Sequence, residues 1–249
     1  MVAFTPMAPR AVDARRNAAM ALNLGIIASV LFLVLTLMVI EHGTGVRDRA
    51  MILSLRTEAN PLLSTFLLAV TFTSGKLAIP ALIVCAALLY RRDGARTALY
   101  YIGACVTAEL MDAILKHVIA RVRPHGVSPL LTAAGGYSYP SADAMLAVVI
   151  FGLGALLLTR STRSATLRLA AIGAAALFVI CAAVARVYLG AHWPADVLGG
   201  VLAGVACSAF WLRALWRSAD VPVPVLPALT ARTALTGPLA LRARRVQPA

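Results

Sequence analysis

The chain has 249 residues, 61% of them hydrophobic and 13% charged, with a mean hydropathy of +0.85. A soluble domain is about half apolar and about a quarter charged, so this composition excludes a soluble globular enzyme and a disordered chain alike. It leaves a polytopic membrane protein of one domain. The 23 Lys and Arg against 10 Asp and Glu give a net charge of +13. That charge sits between apolar runs and comes with few aromatics, which marks cytoplasmic loops and contact with anionic membrane lipids rather than nucleic acid.

Residues 1–16 read as a cytoplasmic segment, and residues 17–217 as the membrane domain. Between Arg16 and Glu41 lie 24 residues without a charge, enough to cross a bilayer core. This run is too long for a signal peptide, so Asn17–Ile40 is an uncleaved first span. A polar stretch, Glu41–Glu58, follows. Ala59–Tyr90 then holds one charge, Lys76, beside Ser74-Gly75 and before Pro80. Later spans are Thr97 to about Ala120, Pro140–Thr159, Arg168–Ala185 and Trp193–Leu212. The positive-inside rule places the Arg15-Arg16 end in the cytoplasm. If 59–90 crosses once, the loops bearing Arg91, Arg92, Arg96 and Arg160, Arg163, Arg168 fall inside as well, as does the tail from Arg213. Two crossings would put all of them outside. The expectation is therefore an all-α bundle of six spans with both termini cytoplasmic. Residues 60–73 would lie as an interfacial helix on the outer side. Residues 218–249, with five prolines after Ala219 and no acid after Asp220, read as a flexible basic tail. Cys85, Cys105, Cys181 and Cys207 all lie within apolar runs and have neither metal-ligand spacing nor a sign of pairing.

Three polar clusters remain, all at span ends that this topology places outside. The first closes the third span. Lys116 and Arg123 are seven residues apart, two helical turns, and so share a face about 10 Å apart, with Pro124 ending the helix. Asp112 lies one turn before Lys116, with Glu109 on the same face. Ionisable groups at that depth face a polar cavity or a partner. The second cluster, Tyr137-Ser138-Tyr139-Pro140-Ser141-Ala142-Asp143, opens the fourth span, where free backbone N–H groups make an anion site. The third is Arg186-Val187-Tyr188-Leu189-Gly190-Ala191-His192-Trp193-Pro194-Ala195-Asp196. There His192 and Asp196 stand one helical turn apart. Asp196 would hold one imidazole nitrogen and leave the other free as a nucleophile.

These clusters resemble the three-part signature of the type 2 phosphatidic acid phosphatase superfamily, K-x6-R-P, P-S-G-H and S-R-x5-H-x3-D. Lys116 with Arg123-Pro124 fits the first part. Arg186, His192 and Asp196 fit the third, with Ala185 at the usual Ser. The resemblance implies a helical membrane bundle that hydrolyses a lipid phosphate ester or anhydride, with neither metal nor cofactor. It also implies that His192 attacks phosphorus to form a phosphohistidine and that Asp196 orients it. Lys116, Arg123 and Arg186 would clamp the phosphoryl oxygens with help from Ser141 and backbone N–H groups. Phosphoryl transfer rests on such positioning and charge stabilisation.

The middle part differs, because Ala142-Asp143 stand where the family has Gly-His, the general acid. General acid help is worth about 10²–10⁴ in rate. Asp143 could substitute only if it held a proton, and ionised it would repel the substrate. Three readings follow. His125 takes over as acid; or the substrate is a lipid diphosphate, such as a polyprenyl (undecaprenyl) diphosphate, whose phosphate leaving group needs less protonation; or the chain binds anionic headgroups with little or no catalysis. A transporter, suggested by Glu109, Asp112 and Lys116 in one span, is a further alternative, but it predicts charge along a midplane pathway rather than at one rim. The Ala- and Arg-rich composition points to a bacterial cytoplasmic membrane.

Overall fold

Caps and glycines cut the apolar sequence into helices. Asn60 accepts a hydrogen bond from the Leu63 N–H at 2.8 Å and Pro61 takes the first helical position, where its missing N–H is no loss. Ser164 caps Leu167 in the same way at 3.2 Å. Gly94, with φ of +86°, separates two helices by a backbone conformation that L side chains resist. The computed structural model describes residues 9–57, 60–124 and 136–218. Among these there are eight helices: α1 Pro9–Ile40, α2 Gly45–Thr57, α3 Pro61–Gly75, α4 Ala78–Asp93, α5 Ala95–Ile119, α6 Ala142–Thr159, α7 Ala165–Tyr188 and α8 Pro194–Ser218. The middle of α6, Val148–Leu153, is wound as a π-helix, and the Tyr101 hydroxyl donates to its Ile150 carbonyl at 3.1 Å.

Five helices are each long and apolar enough to cross a membrane. The bent pair α3 and α4, meeting at 55°, qualifies only jointly, which makes up to six passages. Large apolar side chains such as Leu24, Ile27, Leu33, Ile83, Leu169 and Leu177 point outward, as a lipid-facing surface requires. The protein is an all-α integral membrane protein.

Successive passages alternate in direction and so create two ends. At one end the Thr36 hydroxyl in α1 meets the Tyr139 hydroxyl at 2.7 Å, and the ends of α5 and α7 meet the starts of α6 and α8. At the other, Arg160 pairs with Asp93 at 3.6 Å, Arg96 donates to the Ser218 carbonyl at 3.0 Å and Arg213 to the Ala18 carbonyl at 3.5 Å. The main core lies between α4, α5, α6 and α8 around Tyr101, Met145, Ile150, Leu157 and Cys207. Helix α6 comes close to α8 at Gly200 and Gly204. A Cβ at Gly200 would lie 2.4 Å from the Ser141 carbonyl oxygen, and one at Gly204 2.8 Å from that of Met145. Small residues four apart are what lets two helical backbones approach in lipid.

Several boundaries differ from the sequence expectation. Helix α1 begins at Pro9, before the expected span start at Asn17. The polar stretch 41–58 contains α2, anchored by buried Asp48 and Ile52. The 60–73 region forms α3, one face of which packs on α7. There Leu67 joins Ala185, Tyr188 and Leu189, and the Ser64 and Tyr188 hydroxyls meet at 2.8 Å. All four cysteines are free. The tail from 219 and His125 lie outside the described residues.

Candidate active site

Helix α5 ends at Ile119. Ala120 adopts the left-handed conformation with φ of +49°, and its N–H closes on the Lys116 carbonyl at 2.9 Å. The expectation that Lys116 and Arg123 share a helical face up to Pro124 is therefore corrected. The helix stops earlier, and Arg123, disfavoured in helical geometry because a proline follows it, reaches the site from a non-helical segment. Its Nη1 donates to the Ala191 carbonyl at 2.8 Å and stands 3.2 Å from His192 Nε2, while its Nε donates to the Gly136 carbonyl at 3.3 Å. Lys116, still on α5, pairs with Asp112 at 2.5 Å. Glu109, expected on the same face, is exposed while Asp112 is buried, so the two do not share an environment.

His192 precedes the first residue of α8, Pro194. A regular helical turn therefore does not link it to Asp196, and the expected direct hydrogen bond is not made. The Asp196 Oδ2 atom lies 3.6 Å from Nδ1, whereas the Ser138 carbonyl oxygen is 2.8 Å away. With Nδ1–H donating to that carbonyl, the tautomer is set and Nε2 keeps its lone pair, facing Arg123. Asp196 itself is held by three donors. Its Oδ2 accepts from the Ser138 hydroxyl and from the Trp193 N–H at 2.8 Å, and its Oδ1 from Arg121 at 2.6 Å. Burial pushes the imidazole below its ordinary pKa, Asp196 and Asp143 pull it up, and Arg123 adds to the depression. Burial also lowers the Arg123 guanidinium, opposed by the carboxylates of Asp196, Asp143 and Asp112.

Ser141 is fully buried, its N–H donates to the Asp196 carbonyl at 3.0 Å, and its hydroxyl has no partner. Asp143, in the first turn of α6, pairs with Arg186 at 2.9 Å. The same guanidinium reaches the Thr71 carbonyl and the Ser74 hydroxyl, each at 3.4 Å, and its Nε is buried without a partner. The bend between α3 and α4 lies against this pair. A Cβ on Gly75 would sit 3.5 Å from both Arg186 Nη2 and Asp143 Oδ1.

Seven residues singled out in the sequence thus gather at one end of the bundle: an imidazole whose Nε2 faces Arg123, its carboxylate, two guanidinium groups, an ammonium, an unpartnered hydroxyl and a second carboxylate. The family model of the PAP2 superfamily matches residues 97–220, from the start of α5 to the end of α8. The chain belongs to the PAP2 superfamily. Two solved structures share its fold. One is the PAP2-type phosphatidylglycerolphosphate phosphatase from Bacillus subtilis, with 22% identity, a TM-score of 0.71, and coverage of 80% of this chain and 98% of that one. The other is the Aquifex aeolicus LpxE, with 22% identity, a TM-score of 0.52, and coverage of 66% and 93%. No curated relative matches the sequence.

In this PAP2 chain three site residues escape a reading by motif. Ser138 holds both partners of the His192–Asp196 pair, the imidazole through its carbonyl and the carboxylate through its hydroxyl. Arg121 lies inside the first PAP2 motif as a spacer, yet it ties Asp196 to Asp48 at 2.6 Å and to Thr44 at 3.0 Å. Asp48, from α2, lies outside the region the family model covers. The sequence does carry one signal for it: an acid four residues before Ile52 in a stretch otherwise rich in arginine.

Proposed function

We propose that this PAP2 protein is a membrane phosphatase that hydrolyses a lipid phosphate or diphosphate through a phosphohistidine on His192. The observation that carries the reading is the nucleophile's geometry. Nδ1 is occupied by the Ser138 carbonyl, and Nε2 is directed at Arg123, 3.2 Å away. In the first step the Nε2 lone pair attacks phosphorus, the N–P bond forms and the P–O bond to the lipid breaks; the lipid leaves as its monophosphate from a diphosphate, or from a monoester as an alcohol that takes a proton from solvent. In the second, water attacks phosphorus, the N–P bond breaks, and inorganic phosphate leaves with the water's proton passing to product or solvent. Arg123, Arg186 and Lys116 hold the phosphoryl oxygens, with Ser141 supplying its unpartnered hydroxyl. Asp196 offsets the positive charge that the ring gains on phosphorylation.

Asp143 decides the substrate. Its carboxylate sits on Arg186 at 2.9 Å, a placement suited to an ion pair rather than to giving a proton to a leaving oxygen. A substrate that leaves as a phosphate needs that proton least, which favours a polyprenyl diphosphate over phosphatidate. The Arg186–Asp143 pair also supports a second reading, a weak or silent PAP2 protein that binds anionic headgroups, because one clamp cation is already neutralised.

The site end faces away from the cytoplasm in this reading, with residues 1–16 and the tail 218–249 on the cytoplasmic side of a bacterial inner membrane. Phosphate release by protein in detergent, without divalent metal, tests the reaction. Polyprenyl diphosphate and phosphatidate are compared, with His192→Ala as control. Release from the diphosphate that disappears in His192→Ala is the expected result. Absence of release from both lipids by protein that still binds phospholipid vesicles would select the silent reading.

A further inference from the structure

Asp196 is fully buried, and a buried carboxylate stays charged only with donors around it. Its charged partner is Arg121, and Arg121 is shared. One guanidinium nitrogen takes Asp196 Oδ1 at 2.6 Å, while the other takes Asp48 Oδ2 at 2.6 Å and the Thr44 hydroxyl at 3.0 Å. Asp48 Oδ1 also accepts the N–H of Ala195 at 3.0 Å, the residue next to Asp196. The ring of Trp193 packs under Arg121, 5.6 Å from its guanidinium carbon, and its indole N–H donates to the Val122 carbonyl at 2.8 Å. Asp48 and Ile52 are the buried residues among the described side chains of α2, so this carboxylate is the polar anchor of that helix.

One guanidinium between two carboxylates leaves the group with a net negative charge. Without Asp48, Arg121 would neutralise Asp196 in full and draw it away from the imidazole. We propose that Asp48 and Arg121 are positioning residues that act through Asp196: by sharing Arg121, they keep the Asp196 Oδ2 turned to Ser138 and His192 and keep its charge available to the ring during phosphoryl transfer. The proposal rests on the phosphohistidine reading above. It joins α2, outside the matched family region, to the reacting nitrogen.

The charged groups around His192 are Asp196 from α8, Arg123 from the segment after α5, Asp143 from α6 and Asp112 from α5, the last paired with Lys116, with Arg121 acting through Asp196. Asp48→Asn preserves size and an acceptor for Ala195 while it removes one negative charge. It is expected to lower kcat on a lipid diphosphate by about 10- to 100-fold, the size typical of partners that orient a reacting group from behind, with KM unchanged. The acid limb of the pH profile moves to lower pH, because the imidazolium loses support. Asp48→Glu restores most of the rate, and Arg121→Lys, which retains charge but loses the two-pronged geometry, falls between. Histidine 15N resonances followed through a titration read the same shift without turnover. Wild-type kcat and an unmoved acid limb in Asp48→Asn would overturn the proposal. So would a lowered kcat with an unmoved limb and resonances, the pattern of purely structural support. Absence of turnover in the wild type, matched by His192→Ala, overturns instead the phosphatase reading on which the proposal stands.

Discussion

His192 is 3% exposed, and its burial outweighs the nearby Asp196 carboxylate in setting its proton affinity, so its pKa falls below the ordinary value. The consequence for activity and for stability has the same sign. Between the folded and the unfolded pKa the unfolded chain binds a proton that the folded protein does not, so stability rises with pH through that window and is lost as pH falls. In the proposed reaction Nε2 likewise attacks as the free base. The acid limb of kcat/KM is therefore expected below the unperturbed histidine value of about 6.5. Thermal unfolding of His192→Ala in detergent should depend less on pH below that value than unfolding of the wild type. A limb above 6.5, or identical pH dependence of unfolding in both proteins, would show that the imidazole is not held neutral by its surroundings.

At the scale of elements, the site depends on how near α6 can come to α8, because Ser141 bonds to the Asp196 carbonyl across that contact. A methyl group at Gly200 would stand 2.4 Å from the Ser141 carbonyl oxygen, so Gly200→Ala must push the two helices apart. It is expected to cost about 1–3 kcal/mol, the usual penalty of overpacking, and to lower turnover with it. Gly173→Ala, at an exposed position on α7 with open space around it, should be neutral in the same thermal and turnover assays. Equal behaviour of the two variants would remove close packing as the device that holds the site. These elements were legible to different degrees. Long charge-free runs revealed the spans because lipid demands them, and fixed spacings brought out Lys116, Arg123, Arg186, His192 and Asp196. The ends of the helices were less legible. Ala120 leaves the helix through a left-handed residue that no local pattern announces, and that exit frees Arg121 to reach Asp48. The role of Ser138 was hidden for another reason: it holds the imidazole with a backbone carbonyl, an atom that every residue carries.

For the whole molecule, alternating passages decide which groups share a side. The start of α1, the α4–α5 and α6–α7 turns and the end of α8 lie together, and with them Arg92, Arg96, Arg160, Arg168 and Arg213. The candidate site lies at the opposite end. Positively charged connections stay in the cytoplasm, so the site should open to the outside and draw its lipid phosphate from the outer leaflet. Two variants that each add one cysteine test this in cells with a thiol reagent that does not cross membranes. Val46→Cys on α2 is 86% exposed at the site end, and Ser161→Cys is exposed at the arginine-rich end. The four native cysteines are buried or half-buried and should contribute little background. Val46→Cys should label in intact cells and Ser161→Cys only after permeabilisation. The reverse pattern would place the site in the cytoplasm, and its substrate would then have to come from lipid phosphates made on the inner leaflet, before any translocation step.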